Sequence, residues 1–239
     1  MEPNRESLRI KLFADGANMV DMVEMASKPY ISGLTTNPTL MKKAGITDYV
    51  KFAQEVLAEI QDKPISFEVF SDDVNEMKIQ GEKIAEWGEN VYIKIPITNT
   101  KGQPTNDAIK YLSNRGAKVN ITAIMTDQQV AEAVKDLDIN VPSCVSVFAG
   151  RIADTGRDPI EIMKKSLSLL SSNKNSELIW ASPRELLNIF QADAIGCHII
   201  TATNDILKKL ELIGMSLEKY SLDTVKMFYR DASLAGYKI

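Results

Sequence analysis

The chain has 239 residues, 44% of them hydrophobic and 7% aromatic, enough to bury one sizeable core and in the length range of a single α/β barrel. Its 28 basic and 32 acidic residues are spread along the chain and give a formal net charge of -4, so no positive field is available to draw in nucleic acid. No stretch approaches the roughly 20 apolar residues that cross a bilayer, and the start MEPNRESLRIKLFADG lacks the apolar run of a signal peptide, so the expectation is a cytoplasmic protein with no membrane partner.

In chain order, the first β-rich run is LRIKLFAD (8–15), followed by ISGLTTN (31–37). Residues 48–61 then place Val50, Ala53, Val56, Leu57 and Ile60 on one stripe, with Lys51, Gln54, Glu55 and Glu59 on the solvent side, which predicts an amphipathic helix. The run ISFEVF (65–70) leads to a similar helix over 73–87, and VYIKIPI (91–97) and KVNITAIM (118–125) follow. Thr126 or Asp127 is placed to cap a helix over 127–137. After SCVSVFAG (143–150), Asp158-Pro159 opens a helix over 159–171, with proline where its missing N–H does no harm. SSNKNS (171–176) reads as a polar loop before ELIWASP (177–183), and CHIITAT (197–203) is the last β-rich run. In the tail, LDTVKMFYRDA is helical, and its Val225, Phe228 and Tyr229 require an apolar surface such as a neighbouring subunit.

Several of these runs are apolar almost throughout, as parallel strands covered by helices are. Alternation through eight rounds, without a doubled helix or a hairpin signal, predicts a closed (β/α)₈ TIM barrel. An open doubly wound sheet is the runner-up. No low-complexity linker divides the chain, so residues 1–239 read as one domain with a helical tail over 216–239. Cys144 and Cys197, without CxxC spacing, read as small core residues. A single histidine, His198, gives no set of metal ligands and reads as a hydrogen-bonded core residue, and neither GxGxxG after the first strand nor GxxxxGK[ST] is present. Neither a metal nor a nucleotide cofactor is expected.

In a barrel, residues at the carboxyl ends of the strands share one mouth. Those polar residues are Asp15, Thr36, Asn37, Glu68, Lys94, Asn120, Thr122, Ser146, Ser182 and Arg184. Lys94 is the most informative, because it interrupts an apolar, β-branched strand. An ordinary lysine amine, of pKa about 10.4, is neutral in only about one molecule in 2,500 at pH 7, so a nucleophilic lysine needs an unusual environment. Two carboxylates near one amine suit Schiff-base chemistry, in which each step moves a proton. They equally suit a lysine that merely pairs with Asp15 or Glu68.

The segments LFADGAN, GLTTNP, VYIKIPIT, NITAIMT, SVFAGRIADTGRDP and WASPRE, in this order, resemble the transaldolase family, including its short subfamily and the related fructose 6-phosphate aldolases. The resemblance implies a Schiff-base lysine at Lys94, a proton-transfer aspartate at Asp15, and Glu68 with Thr122 handling a catalytic water. It implies that Asn37 and Asn120 contact the dihydroxyacetone portion of the substrate, that Thr36, Ser146 and Phe148 are further substrate-binding residues, and that Arg151, Ser182 and Arg184 hold the phosphate. Guanidinium forks suit a phosphate dianion on their own account, although Arg151 could instead pair with Asp154, and Arg184 could be an exposed charge at a helix start. Glu68 and Phe148 resemble the transaldolase choices, where the aldolases have glutamine and tyrosine, so the implied activity is transfer of a dihydroxyacetone unit between sugar phosphates such as fructose 6-phosphate, sedoheptulose 7-phosphate and an aldose phosphate. The alternatives are a fructose 6-phosphate aldolase and a sugar-phosphate-binding barrel without turnover. The resemblance also implies a homo-oligomer formed through the carboxyl-terminal helix. Gly16 after Asp15, and Pro183 and Glu185 around Arg184, depart from the family's usual residues and bear on acceptor specificity.

Overall fold

The structure is a computed structural model that describes residues 4–239. Its eight strands are β1 (Lys11–Asp15), β2 (Ile31–Thr35), β3 (Ile65–Glu68), β4 (Val91–Pro96), β5 (Val119–Ile124), β6 (Ser143–Val147), β7 (Ser176–Ala181) and β8 (Ile199–Thr203). All pair in parallel in sequence order, and β8 closes back on β1. The closed barrel is the expected architecture, and the open sheet is excluded. The helices are α1 (Met19–Ala26), α2 (Pro38–Lys43), α3 (Tyr49–Glu59), α4 (Val74–Ala85), α5 (Asn106–Ser113), α6 (Asp127–Lys135), α7 (Ala149–Asp154), α8 (Ile160–Leu170), α9 (Leu187–Ala194), α10 (Asn204–Leu207) and α11 (Leu217–Ala235).

Local sequence explains where the helices begin. Asp48 accepts the Lys51 N–H at 3.0 Å at the start of α3, and Asp73 accepts those of Asn75 and Glu76 at α4. Thr126, rather than Asp127, caps α6 in a reciprocal box with Gln129. Asp158 Oδ1 accepts the Ile160 N–H at 2.9 Å just after Pro159, so α8 starts where the Asp-Pro pair predicts. In α3 the buried residues are Phe52, Ala53 and Val56, whereas Val50 is exposed.

One expectation needs correction: the helices are doubled after β2 and β6. Asn37, with its side chain accepting the Leu40 N–H, caps a short α2 before α3, and Phe148 leads into a short α7 before α8. Both short helices follow the carboxyl ends of their strands, and Pro38, Thr39 and Leu40 of α2 and Arg151 of α7 line the mouth of the barrel.

The core has two parts. Buried residues on the outer strand faces, among them Leu34, Phe67, Ile95 and Trp180, pack against the helices. Inside the barrel, Phe13, Cys144, Ile179, Ala181 and Ile199 pack with Tyr92 and Phe148. Gly33 makes room for this plug, since a Cβ there would lie 2.5 Å from the Phe13 ring. Cys144 and Cys197 are buried free thiols, and His198 Nδ1 accepts the Leu178 N–H at 3.0 Å. α11 stands apart: none of its residues is buried, and Val225, Phe228 and Tyr229 are exposed. Among the described residues, no helix is long and apolar enough to cross a membrane.

Candidate active site

A cavity of about 400 Å³ opens at the carboxyl end of the barrel. Even-numbered strands supply Thr35, Lys94, Ser146 and Thr201 to its wall, and odd-numbered strands supply Asp15, Glu68, Thr122 and Ala181. This alternation matches the layered filling of a (β/α)₈ interior, in which each layer comes from alternate strands.

Lys94 is buried, with 6% of its surface exposed. Its Nζ is 3.3 Å from Glu68 Oε2 and donates to the Thr36 carbonyl at 3.0 Å. Strand register explains the pair, because Glu68 and Lys94 are direct partners in the β3–β4 ladder. Burial pushes the Glu68 carboxyl above its ordinary proton affinity, the Lys94 charge opposes that, and Asp15 adds to it. The Glu68 carbonyl accepts the Tyr49 hydroxyl at 2.9 Å, which ties the end of β3 to α3.

Asp15 also faces the cavity. Burial raises its proton affinity, against the Lys94 charge and hydrogen bonds from Thr35 and Asn37. Thr35 Oγ1 donates to Asp15 Oδ1 at 2.8 Å, and Asn37 Nδ2 lies 3.5 Å from Oδ2. The hydroxyl on the cavity wall is therefore that of Thr35. The Thr36 side chain, expected there, is fully buried and donates to the Ser66 carbonyl at 2.8 Å, and only its own carbonyl reaches Lys94. Side chains alternate along a strand, so a Thr-Thr pair at a strand end leaves the phase open.

Ser146 lines the cavity, whereas Asn120 lies wholly buried behind it, accepting from Ser146 Oγ at 2.7 Å and donating to Ser66 Oγ at 2.9 Å. Thr122 Oγ1 is buried without a hydrogen-bond partner among the described residues, and a buried hydroxyl is costly unless something bonds it. The next residue, Ala123, has φ +61°, a left-handed conformation, and the β5–β6 register shifts here.

At the rim, the Arg151 guanidinium lies over the Phe148 ring, 5.7 Å from its centroid, and both residues line the cavity with Ser182. Ser182 has φ +61°, and Gly150 of α7 packs so tightly against it that a Cβ would fall 1.6 Å from the Ser182 carbonyl oxygen. Arg184 does not line this cavity. It makes a two-pronged pair with Asp154, Nε donating at 2.9 Å, and this hydrogen bond holds the Asp154 carboxyl below its ordinary range. Asp154 thus pairs with Arg184, not with Arg151. Sequence reasoning also missed Thr35, Thr201 and Ser66, because threonine and serine are ordinary strand residues and nothing local marks which of them meet across the barrel.

The barrel and its mouth define a (β/α)₈ protein with a buried lysine flanked by two carboxylates. Residues 12–236 match the family described as Transaldolase/Fructose-6-phosphate aldolase, and the chain belongs to that family. It is 34% identical to the probable transaldolase of Sulfurihydrogenibium sp. (strain YO3AOP1), covering 90% of this chain and 96% of that protein. It is 32% identical to the probable transaldolase of Thermoanaerobacter sp. (strain X514), covering 94% and 99%. Among solved structures, a HpcH/Hpal aldolase/citrate lyase family protein from Burkholderia cenocepacia J2315 shares the fold, with a TM-score of 0.59 at 12% identity over 94% of this chain and 95% of that one. Family membership makes this an enzyme of the aldolase and transaldolase type.

Proposed function

We propose that the chain is a transaldolase that works through a Schiff base on Lys94. The amine adds to the ketone carbon of a phosphorylated ketose and water leaves, forming an iminium. Asp15 takes the proton of the C4 hydroxyl, the C3–C4 electron pair moves into the iminium, and an aldose phosphate departs. The dihydroxyacetone unit stays on Lys94 as an enamine until a second aldose phosphate accepts it.

The observation that carries this reading is the buried Lys94 amine, 3.3 Å from Glu68, opening into a cavity that also holds Asp15. Glu68 and the unpartnered Thr122 hydroxyl would hold the water that carries protons during carbinolamine formation and loss. Asn37 and Ser146 would bind the dihydroxyacetone hydroxyls, with Asn120 holding Ser146 and the Thr36 carbonyl holding Lys94. Arg151 and Ser182 would receive the phosphate, joined by Arg184 once it exchanges Asp154 for the dianion. Phe148 favours transfer over free cleavage, because an apolar ring at the rim offers the enamine no proton.

Product analysis tests the reading. With fructose 6-phosphate and a four-carbon aldose phosphate, the expected products are a seven-carbon ketose phosphate and glyceraldehyde 3-phosphate, with little free dihydroxyacetone. Free dihydroxyacetone released at a comparable rate without any acceptor would favour the aldolase reading.

A further inference from the structure

Thr201, Asp15 and Thr35 come from three neighbouring strands, β8, β1 and β2. Thr35 Oγ1 donates to Asp15 Oδ1 at 2.8 Å, and the Thr35 and Thr201 hydroxyl oxygens are 2.5 Å apart. A hydroxyl has one hydrogen to give. Since that of Thr35 is committed to the carboxylate, Thr201 must be the donor to Thr35. Two hydroxyl dipoles therefore line up toward one oxygen of Asp15. Both threonines are buried, at 2% and 6% exposure, where valine would pack as well if shape alone mattered. Oδ1 is thus engaged, and Oδ2, with only Asn37 at 3.5 Å among the described residues, is left for a substrate proton.

We propose that Thr35, backed by Thr201, is a positioning residue that directs Asp15 to act through Oδ2 and favours its ionised form in the bond-cleavage step. The assignment rests on the Schiff-base reading above. The other charges facing Asp15 are Lys94 from β4 and Glu68 from β3. A neighbouring hollow of about 350 Å³, which shares Asp15, adds Asp21 from α1, Lys43 from α2 and Asp205 from α10. Thr35→Val changes none of these charges; it removes the donor to Asp15 and, with it, the acceptor of the Thr201 hydroxyl.

The test compares Thr35→Val, Thr201→Val and Thr35→Ser, following borohydride-trapped Lys94 adduct with fructose 6-phosphate and the pH profile of kcat/KM. Trapping does not require C–C cleavage, so Thr35→Val should trap as much adduct as the parent. Its kcat/KM should fall about tenfold on the acid side, recover as pH rises, and show an acid limb about one pH unit higher. Thr201→Val should shift in the same direction by less, and Thr35→Ser should restore the parent profile. An unmoved acid limb in Thr35→Val, or adduct lost in proportion to turnover, would overturn the assignment in favour of a packing role. Absence of adduct in the parent protein would instead remove the Schiff-base reading, and the assignment with it.

Discussion

The mouth of the barrel depends on a few atoms with little freedom. Gly150 is the clearest case: the Ser182 carbonyl oxygen occupies the space its Cβ would fill, and Ser182 already holds a left-handed φ that costs a non-glycine residue about 1–2 kcal/mol. Gly150→Ala must therefore displace backbone, a change of the overpacking kind that costs about 1–3 kcal/mol. The expected outcome is a lowered melting temperature together with a severalfold higher KM for a ketose phosphate, because Ser182 and Arg151 shift together. A variant with the parent melting temperature and KM would contradict the close approach. Lys94 was legible in the sequence because a charge inside VYIKIPI conflicts with its surroundings. Thr35 and Thr201 raise no such conflict: a threonine is at home in a strand, and their 2.5 Å contact exists only once the barrel closes.

Elements were legible in proportion to their length. Each β-rich run became a strand, and the amphipathic segments became α3, α4, α6 and α8 within a residue or two. The short helices α2 and α7 escaped because six residues are under two turns, too few for a periodicity, although Asn37-Pro38 carries both a capping residue and a first-turn proline. α11 was recognised by its apolar positions, and it extends from Leu217 to Ala235 with Ser216 capping its start and Gly236 in the left-handed conformation at its end. We propose that it joins copies of this chain, as the family resemblance implies. Since Val225 and Phe228 are exposed in the isolated chain, Val225→Glu with Phe228→Glu should leave the barrel folded and reduce the assembly mass measured by light scattering. An unchanged mass would place any contact between copies elsewhere.

Over the whole molecule, eight apolar runs were enough to predict a barrel, but not the register that places eight side chains around one cavity. Register is non-local, and a one-residue change of phase separates Thr35 on the wall from Thr36 behind it. The same holds for the pairing of Arg184 with Asp154, 30 positions apart in sequence, which a local reading offered to Arg151. In the proposed Schiff-base mechanism this architecture turns one buried amine into a covalent carrier. The most direct measurement is the intact and peptide mass of the protein after incubation with fructose 6-phosphate and reduction with borohydride, with Lys94→Met as control. An adduct on the Lys94 peptide and none in the control are expected, whereas saturable binding of the sugar phosphate with no adduct on Lys94 would contradict a Schiff base there.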